Sequence, residues 1–386
     1  MRYRKHTTPS TGNVFNNKKK RKFNMSIVAW FIFGFAVLQL VVALVNVLFR
    51  QALPQPDPDF QPLVSVMIPA RNEEQNIGQI LKDVQGQSYK NIEVLVFNDQ
   101  SEDQTAAIVE DFAAADERIK LINSEGLPEG WLGKNHACYR LAQKAKGDYY
   151  LFLDADVRVS GNIVHQAIGM VRKHQLGLLT IFPRQMMNTW GEWLVVPSMN
   201  YILLTLLPLV MIRLSNFESI SAANGQFMLF DAQTYRQQEP HLKHRMTRVE
   251  DISIARSFKK AGIKIGCLTG TNDIRCRMYS GFNNALQGLS RSVIMFFGNS
   301  IFMTLLFWTV STLGFLFVWF VLPPGSFVMY VLILLFTRVF ISFASQQNIL
   351  KNLLLGFFQK WVLGYVIFIA LRSQLQSTFE WKGRQV

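Results

Sequence analysis

Two pairs of acids carry the chemistry legible in this sequence. Asp154 and Asp156 close DYYLFLDAD (148–156), where an apolar run, Tyr149 to Leu153, stops at two carboxylates one residue apart. Glu250 and Asp251 open EDISIARSFKK (250–260), whose Ile252, Ile254, Ala255 and Phe258 mark an amphipathic helix. Two carboxylates at a strand end can hold a hard divalent cation. Mg2+ takes only one or two protein carboxylates and leaves its other positions to water and substrate phosphates. A cation there neutralises the charge of a departing diphosphate. An acid at a helix start can act as a base, or can simply be favoured by the helix dipole. A D-x-D alone is equally well a pair of solvated loop acids, so the elements around it decide.

Those elements alternate. LVSVMIP (63–69), IEVLVFND (92–99), IKLIN (119–123) and DYYLFLDAD read as strands. NEEQNIGQILKDVQGQ (72–87), QTAAIVEDFAAAD (104–116) and GKNHACYRLAQKAK (133–146) read as the helices between them. The first helix puts Ile77, Ile80, Leu81 and Val84 on one face. The pattern predicts an α/β fold, a mostly parallel sheet covered by helices on both faces. Ligands in such sheets bind beyond the carboxyl ends of the strands, where Pro69, Asp99, Asp154 and Asp156 fall.

The flanks are of another kind. Hydrophobic residues make up 49% of the 386 and charged residues 17%, below the globular norm of roughly 25%, which points to membrane segments. Residues 1–49 hold eight basic residues and no acids; residues 50–292 hold 26 basic and 25 acidic; residues 293–386 hold six basic and one acidic. The basic excess therefore borders apolar runs, which suits anionic lipid headgroups rather than a nucleic-acid groove. Residues 1–26, with KKKRK at 18–22, read as a basic disordered tail. The apolar run 27–49 spans about 35 Å as a helix, enough for a transmembrane anchor. A proline-rich linker occupies 50–62 and the catalytic-size domain 63–292. Three candidate spans, Val293–Leu322, Phe327–Phe343 and Leu353–Leu371, fill 293–371, and 372–386 is a tail. Cys138, Cys267 and Cys276 show no paired spacing and read as reduced thiols.

Four motifs occur in order: VSVMIPARNEEQNI (64–77), EVLVFNDQSEDQT (93–105), DYYLFLDADV (148–157) and RVEDISIARSFKKAG (248–262). Together they resemble the family 2 glycosyltransferases, inverting enzymes of the GT-A (Rossmann-like) fold, over roughly residues 63–292. The resemblance implies a nucleotide site at Pro69, Ala70, Glu73 and Asp99, with Asp99 accepting from a uracil ring. The usual D-D-G-S stretch is here Asn98, Asp99, Gln100, Ser101. It further implies Asp154 near the ribose and sugar, Asp156 as ligand of Mg2+ or Mn2+, Lys134 near the donor, and Glu250–Asp251 as the catalytic pair with Asp251 as general base. Inversion requires such a base on the face opposite the leaving diphosphate.

Within the family, processive synthases carry Q-x-x-R-W where this chain has Gln287 and Arg291, four apart and without the tryptophan. The segment is closer to members that glycosylate carotenoids or other polyisoprenoid lipids. Arg277 and Arg291 could contact diphosphate or headgroups, or cap the membrane surface. The implied activity is transfer of a single sugar from a UDP-sugar to an apolar lipid acceptor, a carotenoid or other terpenoid, at a multi-pass cell membrane, without nucleic acid. A polysaccharide or glycolipid synthase, a nucleotidyltransferase, and a non-catalytic nucleotide-binding membrane protein remain alternatives. Leu194–Ile212 is apolar but holds Pro197 and Pro208; a single crossing there would part Asp156 from Asp251, so it reads as an interfacial helix at the acceptor entrance. Positive-inside bias places KKKRK in the cytoplasm, whereas nucleotide sugars require the catalytic domain there. A start at Met25 would reconcile the two.

Overall fold

The computed structural model describes residues 11–376, 380–381 and 384–385, with side chains from 24 to 374. In chain order the elements are α1 (Thr11–Leu48), β1 (Val64–Ala70), α2 (Ile77–Gln85), β2 (Ile92–Asn98), α3 (Thr105–Ala115), β3 (Ile119–Asn123), α4 (Gly133–Lys144), β4 (Tyr149–Leu153), β5 (Val157–Val159) and α5 (Ile163–His174). Next come β6 (Leu178–Phe182), β7 (Arg184–Gln185), α6 (Trp190–Val195), α7 (Pro197–Leu206), α8 (Leu209–Leu214), β8 (Phe227–Asp231), α9 (Ala232–Gln238), α10 (Pro240–Lys243) and α11 (Glu250–Lys260). β9 (Ile265–Thr269), β10 (Ile274–Cys276), α12 (Phe282–Ser290), α13 (Ile301–Val321), α14 (Pro324–Ala344) and α15 (Ile349–Gln376) complete the series.

Seven strands form one sheet in the order β3-β2-β1-β4-β8-β6-β9. β8 alone runs antiparallel to its neighbours β4 and β6; the other pairings are parallel. The four strands expected from the apolar runs are the first four of the chain. Because β1 pairs in parallel with both β2 and β4, their carboxyl ends gather at one edge. A small sheet, β5-β10-β7, sits beyond that edge and sets Cys276 opposite both Val157 and Gln185.

The near-continuous hydrophobic strands follow from burial on both faces. On one face Val64, Val66 and Ile68 pack with Ile77, Ile80, Leu81 and Val84 of α2. On the other, Met67, Phe97, Leu141 and Phe152 belong to a core that continues through Tyr201 and Ile202 of α7 to Phe307, Leu363 and Val366 of the apolar helices. The catalytic-size domain and the apolar bundle therefore share one core.

Among the described residues, four helical stretches are long and apolar enough to cross a membrane: Asn24–Leu48, Ile301–Val321, Pro324–Ala344 and Ile349–Gln374. Three boundaries differ from expectation. α1 starts at Thr11, so the basic run is helical rather than disordered; no proline interrupts it, and extending a formed helix is far cheaper than nucleating one. Residues 1–10 lie outside the described residues. The first C-terminal helix starts at Ile301 rather than Val293, because Gly298 and Asn299 take left-handed φ of 68° and 62° and Ser300 caps the helix on Met303 N. The last runs from Ile349, not Leu353, and past Leu371; its polar Gln359 is buried, and Lys360 bonds to Ser311 O at 2.7 Å.

The apolar stretch 194–212 is not one helix. It is broken at Val196–Pro197 and again at Leu207–Pro208 into α6, α7 and α8, since proline opens a helix but cannot continue one. It packs between the domain and the bundle, with Tyr201, Leu204 and Ile212 enclosed while Leu206 and Met211 stay exposed. Asn46, near the end of α1, clasps the second break. Its amide donates to Leu204 O (3.1 Å) and Leu207 O (3.0 Å) and accepts from Leu209 N (2.8 Å).

Candidate active site

The site lies at the carboxyl ends of β1, β2 and β4. The loops after β1 and β2 are zipped together. Arg71 Nη1 donates to Asp99 O (2.7 Å), Asn72 N to Ser101 Oγ (3.0 Å), Glu102 N to Asn72 Oδ1 (2.9 Å) and Glu73 N to Thr105 Oγ1 (2.8 Å). Asp99 is buried, its N–H bonded to Ala70 O at 2.8 Å. Pro69, Ala70, Glu73 and Asp99 thus form one wall. Asn98 points aside, donating to Asn123 Oδ1 and accepting from Ser101 N. Gln100, where the familiar motif has glycine, holds φ +55°, a conformation that costs a side-chain-bearing residue energy. The glycine preference has its cause in that backbone.

Lys134, in the first turn of α4, joins the two acid pairs. Its Nζ lies 2.8 Å from Asp154 Oδ1 and 3.5 Å from Glu250 Oε1. Burial works against the ammonium, but Asp154 and Glu250 outweigh it and hold its pKa well above the ordinary lysine value. Asp251 starts α11 beside them and accepts from Ile252 N (2.7 Å) and Gly225 N (3.0 Å). Burial first and the Glu250 charge second push its carboxyl up to about 7, against the pull of Ile252 N–H, Lys134 and Gly225 N–H. Gly225 lies in the loop that enters β8. A Cβ on it would stand 2.9 Å from Lys134 Nζ, 3.3 Å from Glu250 Oε1 and 3.8 Å from Asp251 Oδ2. The backbone approaches these groups closely, and a side chain there would displace the lysine end.

Asp156 follows β4 and is pushed up to about 7 by burial, then by the charges of Asp154 and Glu73. Its Oδ1 is buried and has no hydrogen-bond partner, a costly arrangement for a carboxylate. Among the described residues no group of three or more His, Cys, Asp or Glu could hold a metal ion. A hard cation needs only one or two protein carboxylates, its other positions being filled by substrate oxygens and water. Asp154 and Asp156 fit that use, and the unpaired Oδ1 is the observation that favours it.

Arg277 is engaged elsewhere. It pairs at 2.8 Å with Glu192, a fully buried carboxylate that also accepts from Gly281 N and Asn188 N. Burial opposes the Glu192 charge, but Arg277 and these N–H groups hold its pKa down at about 2. Arg291 is exposed. An open cleft of about 460 Å3 bordered by Tyr149, Arg172, Asp231 and Lys264 lies at the opposite end of β4 and touches none of these acids. Sequence reading reached every residue of the acid clusters and missed Gly225, which meets Asp251 across 26 residues and carries no local signal.

Residues 65–237 match the family model described as Glycosyl transferase family 2. A 4,4'-diaponeurosporenoate glycosyltransferase of Staphylococcus haemolyticus (strain JCSC1435) is 26% identical over 260 residues, 64% of this chain and 66% of its own length. One from Staphylococcus aureus (strain MRSA252) is 26% identical over 234 residues, 59% of this chain and 60% of its own length. The chain thus spans less than two thirds of these relatives. A solved mannosyltransferase of Pyrobaculum calidifontis, in complex with GDP-Man and Mn2+, superposes with a TM-score of 0.56 at 16% identity, covering 92% of this chain and 100% of its own. At that identity the likeness speaks to the fold.

Proposed function

From the premise that residues 65–237 form a family 2 glycosyltransferase domain on a GT-A-like fold, we propose that this protein transfers one sugar from a UDP-sugar, with inversion, to an apolar lipid acceptor drawn from the membrane. One observation carries the reading. Lys134 joins Asp154 of the D-x-D pair to Glu250 of the E-D pair, which brings the two acid pairs, and with them the base candidate Asp251, side by side.

The nucleotide would lie along Pro69, Ala70, Glu73 and Asp99, with its diphosphate towards Asp154 and Asp156. Mg2+ or Mn2+, held by Asp156 with Asp154 beside it, would supply positive charge for the leaving diphosphate. Lys134 orients Asp154 through their ion pair. Asp251, its carboxylate fixed by two backbone N–H groups, takes the proton of an acceptor hydroxyl. A base with pKa near the working pH suits that task. The acceptor would arrive along α6–α8, the apolar strip between the domain and the bundle. A carotenoid or other terpenoid is the acceptor favoured by the names of the relatives. The cell membrane, with the domain in the cytoplasm where nucleotide sugars are made, is the location that goes with this chemistry.

The test is UDP release from UDP-glucose by detergent-solubilised protein supplied with a lipid extract, with and without Mg2+ or Mn2+. Metal-dependent release lost in both Asp156→Ala and Asp251→Asn supports the reading. Unchanged release in both variants overturns the assignment of the two acid pairs. Products that grow beyond one sugar would favour a polysaccharide or glycolipid synthase.

A further inference from the structure

Residues 244–249 cross from α10 to α11 as a short strap that delivers the E-D pair. Three of its carbonyls converge on one side chain. His244 O, Arg245 O and Thr247 O lie 2.9, 3.2 and 3.0 Å from Nδ2 of Asn135. A carbonyl oxygen only accepts, so the nitrogen of the amide must be the end that faces them. Its two hydrogens serve three acceptors, and one of them is shared. Asn135 is buried. Leu132 N adds a further bond to Arg245 O at 2.9 Å. The strap also closes on itself from Thr247 N to His244 O (2.9 Å) and meets α11 where His244 Nε2 lies 3.2 Å from Ser257 Oγ.

Asn135 follows Lys134 in the first turn of α4, and the strap ends where Glu250 begins α11. Two ties therefore hold the E-D pair to α4. The charged one, Lys134 Nζ to Glu250 Oε1, is long at 3.5 Å and joins two side-chain ends. The one through Asn135 is shorter, threefold and grips backbone. The Asp251 carboxylate in turn accepts from Gly225 N at 3.0 Å, a contact that a shift of α11 would break.

We propose that Asn135 is a positioning residue for Asp251: by gathering the three strap carbonyls it fixes the start of α11 against α4, and with it the Asp251 carboxylate relative to Lys134 and Asp154. This rests on the reading of Asp251 as the general base. A reacting group misplaced by about 1 Å costs roughly 100-fold in rate.

The test is a double-mutant cycle on the full-length protein in detergent, read as kcat for UDP release from UDP-glucose with a lipid-extract acceptor. Asn135→Leu, similar in size but without a donor, should lower kcat about 10- to 100-fold. The same change made in Asp251→Asn should cost less than about threefold, because residues acting as one unit do not add. UDP affinity should stay within about twofold of wild type, since the loss belongs to kcat. Asn135→Ala, which leaves room for water to meet the carbonyls, carries the same cycle if the leucine variant does not fold. Wild-type kcat in the folded variant overturns the inference alone. So do equal losses with and without Asp251, or a UDP affinity that falls in step with kcat. Wild-type kcat in Asp251→Asn overturns the reading of the base and the inference with it.

Discussion

Lys134 Nζ lies 2.8 Å from Asp154 Oδ1, and through this one contact the first acid of the D-x-D pair is tied to the helix that precedes its own strand. The same ammonium lowers the pKa of both Asp156 and Asp251. Lys134→Met should therefore raise both. The acid limb of the rate–pH profile should move up by about one unit, and kcat should fall about 100-fold. An unmoved limb would show that Lys134 does not act on these acids.

Asp251 stands at about 7, and a base works only when deprotonated. Activity on a hydroxyl acceptor should be flat above pH 7 and fall about tenfold per unit below it. Glu250 is a cause of the raised value, so Glu250→Gln should move the acid limb to lower pH. Asp251→Asn should cost about 100- to 10,000-fold on a hydroxyl acceptor. On a carboxylate acceptor, which arrives already ionised at pH 7, it should cost less than about tenfold. Equal losses on both acceptors would show that Asp251 is not acting as the base.

Gly225→Ala places a methyl group 2.9 Å from Lys134 Nζ. The lysine end is flexible and gives way, so the fold should survive, but the link between the acid pairs should not. The expected result is a kcat loss of about tenfold or more with a nearly unchanged melting temperature. Full activity would mean that the link can be remade at a longer distance without cost.

Gln100→Gly should stabilise the protein. A left-handed non-glycine residue costs about 1–3 kcal/mol, and the added freedom of the unfolded glycine returns about 0.4–1 kcal/mol of that. A net gain of about 1 kcal/mol, measured by denaturant unfolding, is expected. A loss would show that the Gln100 side chain makes a contact worth more than the strain.

What could be read in the sequence divides along a physical line. β1, β2 and β4 were legible because strands buried on both faces must be apolar throughout, and the acids at their ends because chemistry concentrates there. The division of 194–212 into α6, α7 and α8 depends on packing against Asn46, 158 residues before Leu204. Periodicity reports a helix and says nothing of what the helix rests on. Gly225 and Cys276 were illegible for the same reason. A glycine ahead of a strand and an unpaired cysteine have ordinary local explanations, and only the folded register of β10 against β5 sets Cys276 opposite Val157. Arg277, a candidate for diphosphate, turned out to neutralise Glu192, a pairing 85 residues apart.

The turn between α14 and α15 rests on the domain, with Arg184 Nε donating to Gln346 O at 3.0 Å, just as the end of α1 does through Asn46. α13 and α14, joined at Pro323, run antiparallel, with Gly314 against Tyr330. A reporter protein inserted at the α13–α14 turn and one inserted at the α14–α15 turn should therefore report opposite compartments.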